Sequence, residues 1–242
     1  MGTSCPVPRP WTIIFDGDDT LWLCGEFYRQ AEAGCIDLLK SIQFEGTLDK
    51  VTLVALQRKI QRALMRRHGF YLTIFEDAWS ETYRQLCDRQ GQRFDRGVDR
   101  ELQQMSGAIH AAAYPIFPGV LAMLAELREQ GHILHLVTLG DETFQRSKVQ
   151  RNGLEAAFSQ AHVVQHGKGT IMYHLASGQQ TMMVGDSLPS DIQPAKRLSI
   201  QPVWIDHSND EWHIGDGSQD LKGVHVIDRV TELPKLIARL DG

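Results

Sequence analysis

Two aspartates two positions apart, Asp16 and Asp18, lie in the run Phe15-Asp16-Gly17-Asp18-Asp19-Thr20, directly after a short apolar stretch. Carboxylates held that close push each other's pKa values apart, which suits one nucleophile and one proton donor. In extended chain, side chains at i and i+2 face the same way, so the spacing predicts that Asp16 and Asp18 work together while Asp19 points away. Three further groups follow: Thr138 before Leu139-Gly140-Asp141, then His166-Gly167-Lys168, then Gly185-Asp186-Ser187 with Asp191 just beyond. They add a hydroxyl, an amine and two more carboxylates. Taken singly, each is what an ordinary loop carries.

The elements expected around these residues give them an order. Trp11 to Phe15 reads as a buried strand, apolar on both faces as parallel strands tend to be. Further strands are predicted over Ile133 to Thr138, Ala161 to Val164, Thr181 to Val184, Pro202 to Ile205 and Val224 to Ile227. Helices are predicted between them over Val120 to Glu129 (stopped by Gly131), Glu142 to Arg151, Ile171 to Ala176 and Pro189 to Leu198, with a last one over Thr231 to Leu240. Strands alternating with helices imply an α/β fold with a parallel sheet and right-handed crossovers. In such a sheet, ligands bind beyond the carboxyl ends of the strands. Each chemistry-bearing group follows one of the first four strands, in order, and that coincidence is the strong signal.

The stretch from Glu26 to His110 differs. It is charged and helical in pattern, with Ala31, Cys35, Leu38, Leu39 and Ile42 at helical spacing, and Val51, Val54, Ala55, Leu56, Ile60, Leu64 and Met65 likewise. Further helices are predicted over Ile74 to Gln90 and Gly97 to Ala113. The 122 positions from Asp16 to Thr138 leave room for an insertion there, whereas the 30 from Thr138 to Lys168 leave little. The expected division is therefore a core of 11–24 and 114–242, a helical insertion of 25–113, and an N-terminal tail of 1–10 broken by prolines.

Composition excludes several classes. The chain has 242 residues, 42% hydrophobic and 23% charged, with a formal net charge of −5. That balance argues against a nucleic-acid or anionic-membrane surface, so a small anionic substrate would need local cations. No segment approaches the ~20 apolar residues of a membrane span. The N-terminus lacks the apolar stretch of a signal peptide. Four cysteines, at 5, 24, 35 and 87, form no paired motif, which points to reduced thiols and a cytoplasmic location. Asp206 to Gly223 reads as a solvated loop, although its His and Asp content also raises a second metal site.

The run FDGDDTLW resembles the first motif of the haloacid dehalogenase (HAD) superfamily. Thr138 resembles that superfamily's second motif, Lys168 its third, and Gly185-Asp186…Asp191 its acidic fourth. The resemblance implies a Rossmann-like (HAD-like) core with a helical C1 cap inserted after the first strand. It implies Asp16 as the nucleophile attacking phosphorus, and Asp18 as acid and then base. Thr138, Gly140 and Lys168 would bind the phosphoryl group. Mg²⁺ would be held by Asp16, Asp186 and the backbone carbonyl of Asp18, with Asp191 supporting it. Two residues depart from the pattern: Leu139 stands where Asn is common, and Gly169 follows Lys168 where Pro is common. Lys148, in the helix after the second motif, rivals Lys168 for the third-motif role.

The expected function is thus Mg²⁺-dependent hydrolysis of a small phosphorylated metabolite through an aspartyl-phosphate, with no nucleic-acid or membrane partner and no oligomeric state assigned. Dehalogenases share the nucleophile but generally lack the Asp two positions later, so Asp18 favours phosphate chemistry. A phosphomutase and a non-catalytic ligand-binding relative are the alternatives. In the insertion, Glu26, Phe27 and Tyr28, and the run Arg66-Arg67-His68, could contact the rest of a substrate, but a packing aromatic pair and a solvated helix end are the preferred readings, so none is counted in the site.

Overall fold

The computed structural model describes residues 10–42, 49–176, 180–207 and 221–241. Most of the expected tail, and residues 208–220 of the Asp206–Gly223 loop, lie outside the described residues. The chain forms two compact units, one of Met1–Leu23, Pro115–Leu139 and Gln145–Gly242, the other of Cys24–Tyr114 and Gly140–Phe144.

The first unit is built on six parallel strands: β1 (Thr12–Phe15), β2 (Ile133–Leu139), β3 (Gln160–Val164), β4 (Thr181–Gly185), β5 (Gln201–Ile205) and β6 (His225–Ile227). Their order across the sheet is β3, β2, β1, β4, β5, β6. All four residues of β1, Thr-Ile-Ile-Phe, are buried, which is why this central strand reads as an uninterrupted apolar run. Successive strands are laid down to one side of β1 and then, from β4 onward, to the other. The reversal opens a crevice at the carboxyl ends of β1 and β4, where ligands bind in sheets of this kind. Register completes the placement: Phe15 pairs with Leu136 on one side and Val184 on the other. The residues after β1 and β4 therefore emerge side by side.

Helices cover both faces. In α5 (Val120–Glu129), Val120, Met123, Leu124 and Leu127 are buried at helical spacing. Gly131, at φ 87°, supplies the left-handed residue that ends it. One face of the sheet packs Ile14, Val137 and Met183 against Met172 of α7 (Gly169–Leu175) and Ala195 of α8 (Gln193–Arg197). The helix expected from Pro189 begins instead as a π-type turn, Leu188–Ile192, before α8. Pro189 and Pro194 supply no backbone N–H, so regular i−4 pairing cannot run through the segment. Such turns recur at functional sites, and this one carries Asp191. The sheet unit also holds α6 (Glu142–Arg151, counted from Gln145) and α9 (Leu233–Leu240).

The second unit is helical: α1 (Gly25–Ser41), α2 (Lys50–His68), α3 (Ile74–Gln90) and α4 (Arg96–Gly107). The helix expected to reach Ala113 tightens to a 3₁₀ turn over Ala108–Ala111. Leu39, Leu53, Phe75, Trp79, Tyr83 and Leu102 form its core. Asp49 caps α2, accepting from the Thr52 N–H at 2.8 Å. Cys24, Cys35 and Cys87 are buried and form no disulfide among the described residues. Burial, followed by the charges of Glu32 and Glu76, pushes the Cys35 thiol up to about 12, which makes it unreactive. Among the described residues no helix is long and apolar enough to cross a membrane.

Ile14 is fully buried in the central strand. Ile14→Ala is expected to cost about 2–5 kcal/mol by opening a cavity. Val226, 46% exposed on the terminal strand, should tolerate Ala within about 0.5 kcal/mol. Urea midpoints at unchanged slope check both.

Candidate active site

Asp16 leaves β1 with its N–H donated to the Val184 carbonyl at 2.9 Å, which carries strand pairing one residue past the strand. Then the chain turns. The Gly17 carbonyl accepts the N–H groups of Thr20, Leu21 and Trp22 at 3.2, 2.8 and 3.3 Å. Asp19 adopts φ 56°, in the left-handed region. The acidic run therefore does not stay extended as far as Asp19. Nor is Asp19 remote from the site, because its charge helps raise the pKa of Asp186. Its carbonyl accepts from His207 Nε2 at 2.8 Å, an anchor from the first end of the Asp206–Gly223 loop. The indole of Trp22 lies so close over Gly17 that any β-carbon there would overlap it.

The carboxylates of Asp16, Asp186 and Asp191 converge, each offering one oxygen within 4.8 Å of the others. They are 6%, 8% and 0% exposed. Lys168 donates to Asp16 Oδ1 and, at 2.6 Å, to Asp191 Oδ1. Asp191 Oδ2 accepts the Ser187 N–H at 3.0 Å. That carboxylate packs so tightly on Gly185 that a β-carbon at 185 would strike it. Thr20 Oγ1 donates to Asp186 Oδ1 at 3.3 Å, and Trp204 of β5 donates to the Asp186 carbonyl at 2.8 Å.

The carboxylate of Asp18 makes a different set of bonds. Its Oδ1 accepts from Lys148 Nζ at 2.7 Å and Trp22 Nε1 at 2.5 Å, and its Oδ2 accepts from Gln145 Nε2 at 2.7 Å. Gln145 also donates to the Leu139 carbonyl at 2.7 Å and lies 3.2 Å from Thr138 Oγ1. The structure thus pairs both rival lysines, Lys168 with Asp16 and Asp191, Lys148 with Asp18. Gly140 follows β2 at φ 153°.

Charge in this crevice is strongly perturbed. Burial, then Asp16, Asp191 and Asp19, drives Asp186 well above the usual carboxylate range, and Lys168 offsets only part of it. Burial raises Asp191 to about 7 despite Lys168. For Lys168 itself, burial favours the neutral amine, but Asp16 and Asp191 outweigh it and hold the ammonium. Asp18 runs the other way: burial opposes its charge, yet Lys148, Gln145 and Trp22 together lower its pKa. Three crowded carboxylate oxygens with one ammonium between them leave excess negative charge. This all-oxygen donor set of Asp16, Asp186 and Asp191 could hold a hard divalent cation such as Mg²⁺.

A family model for haloacid dehalogenase-like hydrolases matches residues 12–198. The chain belongs to that family. A phosphoserine phosphatase from Thermus thermophilus is 28% identical to this hydrolase over 141 residues, 53% of the chain but only 57% of that protein. The pyrimidine 5'-nucleotidase PynA of Streptococcus pneumoniae is 24% identical over 223 residues, covering 83% of this chain and 86% of its own. The crystal structure of a haloacid dehalogenase-like family hydrolase from Xanthomonas campestris superimposes with a TM-score of 0.76 at 19% identity, covering 99% of this chain and 95% of that one. At that identity the likeness is one of fold.

Gln145, Trp22 and Thr20 reach the hydrolase's acidic residues without having been singled out from sequence. Gln145 and Lys148 sit three apart on one helix, and that spacing is the one signal that pairs them. Of the insertion's candidates, Tyr28 packs edge-on against Phe75 at 5.1 Å and Phe27 against Tyr114 at 5.1 Å. Arg66, Arg67 and His68 are exposed in the last turn of α2, where cations complement the helix dipole.

Because Asp191 is raised, the folded state holds a proton there that the unfolded chain has lost between about pH 4 and its folded value. Its contribution to stability therefore falls as pH rises through that window, up to about 7. Without metal, the wild-type hydrolase should lose stability relative to Asp191→Asn as pH is raised from 4 to 7. Paired urea titrations across that range test the sign.

Proposed function

We propose that this hydrolase is a Mg²⁺-dependent phosphatase acting on a small phosphomonoester through an aspartyl-phosphate on Asp16. The observation that carries the reading is Asp18, a second carboxylate two residues past the candidate nucleophile and bonded apart from the acidic cluster. A displacement needing only a nucleophile has no use for it. Phosphate transfer to water needs a proton delivered and then removed. Two relatives named for phosphate-ester hydrolysis support the same class.

In the proposed reaction, an Asp16 oxygen attacks phosphorus and the bond to the leaving oxygen breaks. Asp18, which must first take up a proton against the lowering by Lys148, Gln145 and Trp22, gives that proton to the leaving oxygen, releasing an alcohol. Asp18, now a carboxylate, takes a proton from water as the water oxygen attacks phosphorus. The Asp16–phosphorus bond breaks, phosphate leaves, and both aspartates return to their starting forms. Thr138, with Gly140, would hold phosphoryl oxygens, and Lys168 would neutralise Asp16 and the incoming charge together. Asp16, Asp186 and the Asp18 carbonyl would hold the cation. Asp191, whose two oxygens already take Lys168 and the Ser187 N–H, would keep the site in shape. Bound Mg²⁺ would supply the positive charge that lets a phosphate dianion approach these carboxylates. The helical unit is proposed as a C1 cap that excludes water during transfer. Its buried cysteines, with no disulfide among the described residues, support a reducing, cytoplasmic setting.

Phosphate release from an aryl phosphate and from a panel of phosphorylated metabolites, with and without Mg²⁺, tests the reading. Wild type should depend on Mg²⁺, and Asp16→Asn should lose at least about a thousandfold in kcat. Asp18→Asn should lose about 10²–10⁴-fold. Metal-independent turnover, or an active Asp16→Asn, would overturn the proposal. A rearranged substrate in place of free phosphate would redirect it to a mutase.

A further inference from the structure

We propose that Gln145 and Lys148 are positioning residues for Asp18, aligning its carboxylate for both proton transfers. The inference rests on the phosphatase reading above.

Gln145 and Lys148 lie three apart on α6, so one face of the helix presents both. Both are almost fully buried, at 2% and 1% exposed. Burying an ammonium costs several kcal/mol unless it is well paired, and Lys148 reaches Asp18 Oδ1 at 2.7 Å. Gln145 holds the other oxygen at 2.7 Å. Trp22 shares Oδ1. A carboxylate gripped on both oxygens has its plane fixed, and free rotation is what a misdirected acid or base suffers from. Gln145 adds a link to the scaffold, because the same amide bonds the Leu139 carbonyl at the end of β2 and approaches Thr138. Asp18 is thus referenced to the strand whose Thr138 is the proposed phosphoryl ligand. Gln145 Oε1 is buried with no hydrogen-bond partner among the described residues. Its side chain is oriented to present the amide donor to Asp18 at the expense of its own acceptor.

Lys148 is therefore separate from the third-motif role. Lys168 serves the nucleophile, and Lys148 serves the acid–base. Removing either α6 residue leaves Asp16, Lys168 and the acidic cluster intact, so attack on phosphorus persists while proton transfer is misaligned. The half-reactions differ in what they need. A nitrophenolate departs without a proton, whereas an alkoxide requires one. Hydrolysis of the aspartyl-phosphate needs the base whatever the leaving group was.

The test is rapid-mixing kinetics of the full chain with Mg²⁺, comparing p-nitrophenyl phosphate with an alkyl phosphate for wild type, Gln145→Met and Lys148→Met. With the aryl ester, the variants should release about one nitrophenolate per enzyme in a burst. Steady state should then run about ten- to a hundredfold below wild type. The covalently phosphorylated chain should be visible in intact mass. With the alkyl ester, turnover should fall at least as far with no phosphorylated chain accumulating, because the first step is now slow. Equal loss on both esters without a burst would mean a merely structural role and overturn the inference, as would unchanged rates. Where Lys148→Met fails to fold, Gln145→Met decides, since it keeps the lysine pair. If Asp16→Asn is active, the phosphatase reading itself falls. If wild type depends on Asp16 but neither variant bursts, this inference alone falls.

Discussion

Asp16, Asp186 and Asp191 are forced together at the crevice where the sheet reverses direction, and Asp18 and Asp19 lie on the loop beside them. Each buried carboxylate loses hydration and repels its neighbours, a penalty of several kcal/mol per ion in a protein interior. The upward shifts of Asp186 and Asp191 are the direct mark of that conflict. Two buried ammoniums relieve part of it, Lys168 in the cluster and Lys148 at Asp18. What they leave is net negative charge among oxygen donors, which is what a hard dication binds. On the proposed function, the stability the site gives up is what a cation, and then a phosphate, would restore.

The surrounding structure keeps that crowd from relaxing. Strand register brings Asp16 out beside Gly185 and Asp186, so the two carboxylates cannot separate without breaking the central pairing. Trp22 closes over Gly17, and Asp191 presses on Gly185, at two positions where only glycine leaves room. The π-type turn supplies the Ser187 N–H that holds one Asp191 oxygen. His207 and Trp204 tie down the carbonyls of Asp19 and Asp186 from other parts of the chain. Strand order and register set the crevice, and these short-range bonds hold the charges in it.

The parallel sheet was legible because its strands are short apolar runs separated by helical periods, and the first four each end in a residue with chemistry. Strand-end logic placed Asp16, Thr138, Lys168 and Asp186 without reference to side-chain geometry. It failed where local bonding overrode the strand. The chain turns where the Gly17 carbonyl gathers three N–H groups, and strand position does not give the partners of Asp18 on α6. Periodicity also missed the break before α8, since prolines disrupt hydrogen bonding without altering the apolar pattern. Gln145 was invisible for another reason. On a helix whose sequence is nearly all polar, nothing marks which polar residue is buried until the partner across the sheet is known.

The two lysines could not be exchanged or merged. The proposed nucleophile must stay ionised, and a lysine among the cluster's carboxylates, where Lys168 bridges Asp16 and Asp191, favours that charged form. An acid–base group must change charge during turnover, and a lysine shared with the nucleophile would couple the two titrations. Placing the second ammonium on a helix from the next strand's crossover separates them. Lys148 then answers the charge of Asp18, while Lys168 answers the cluster. The geometry thereby gives neighbouring carboxylates opposite shifts, Asp18 lowered and Asp186 raised.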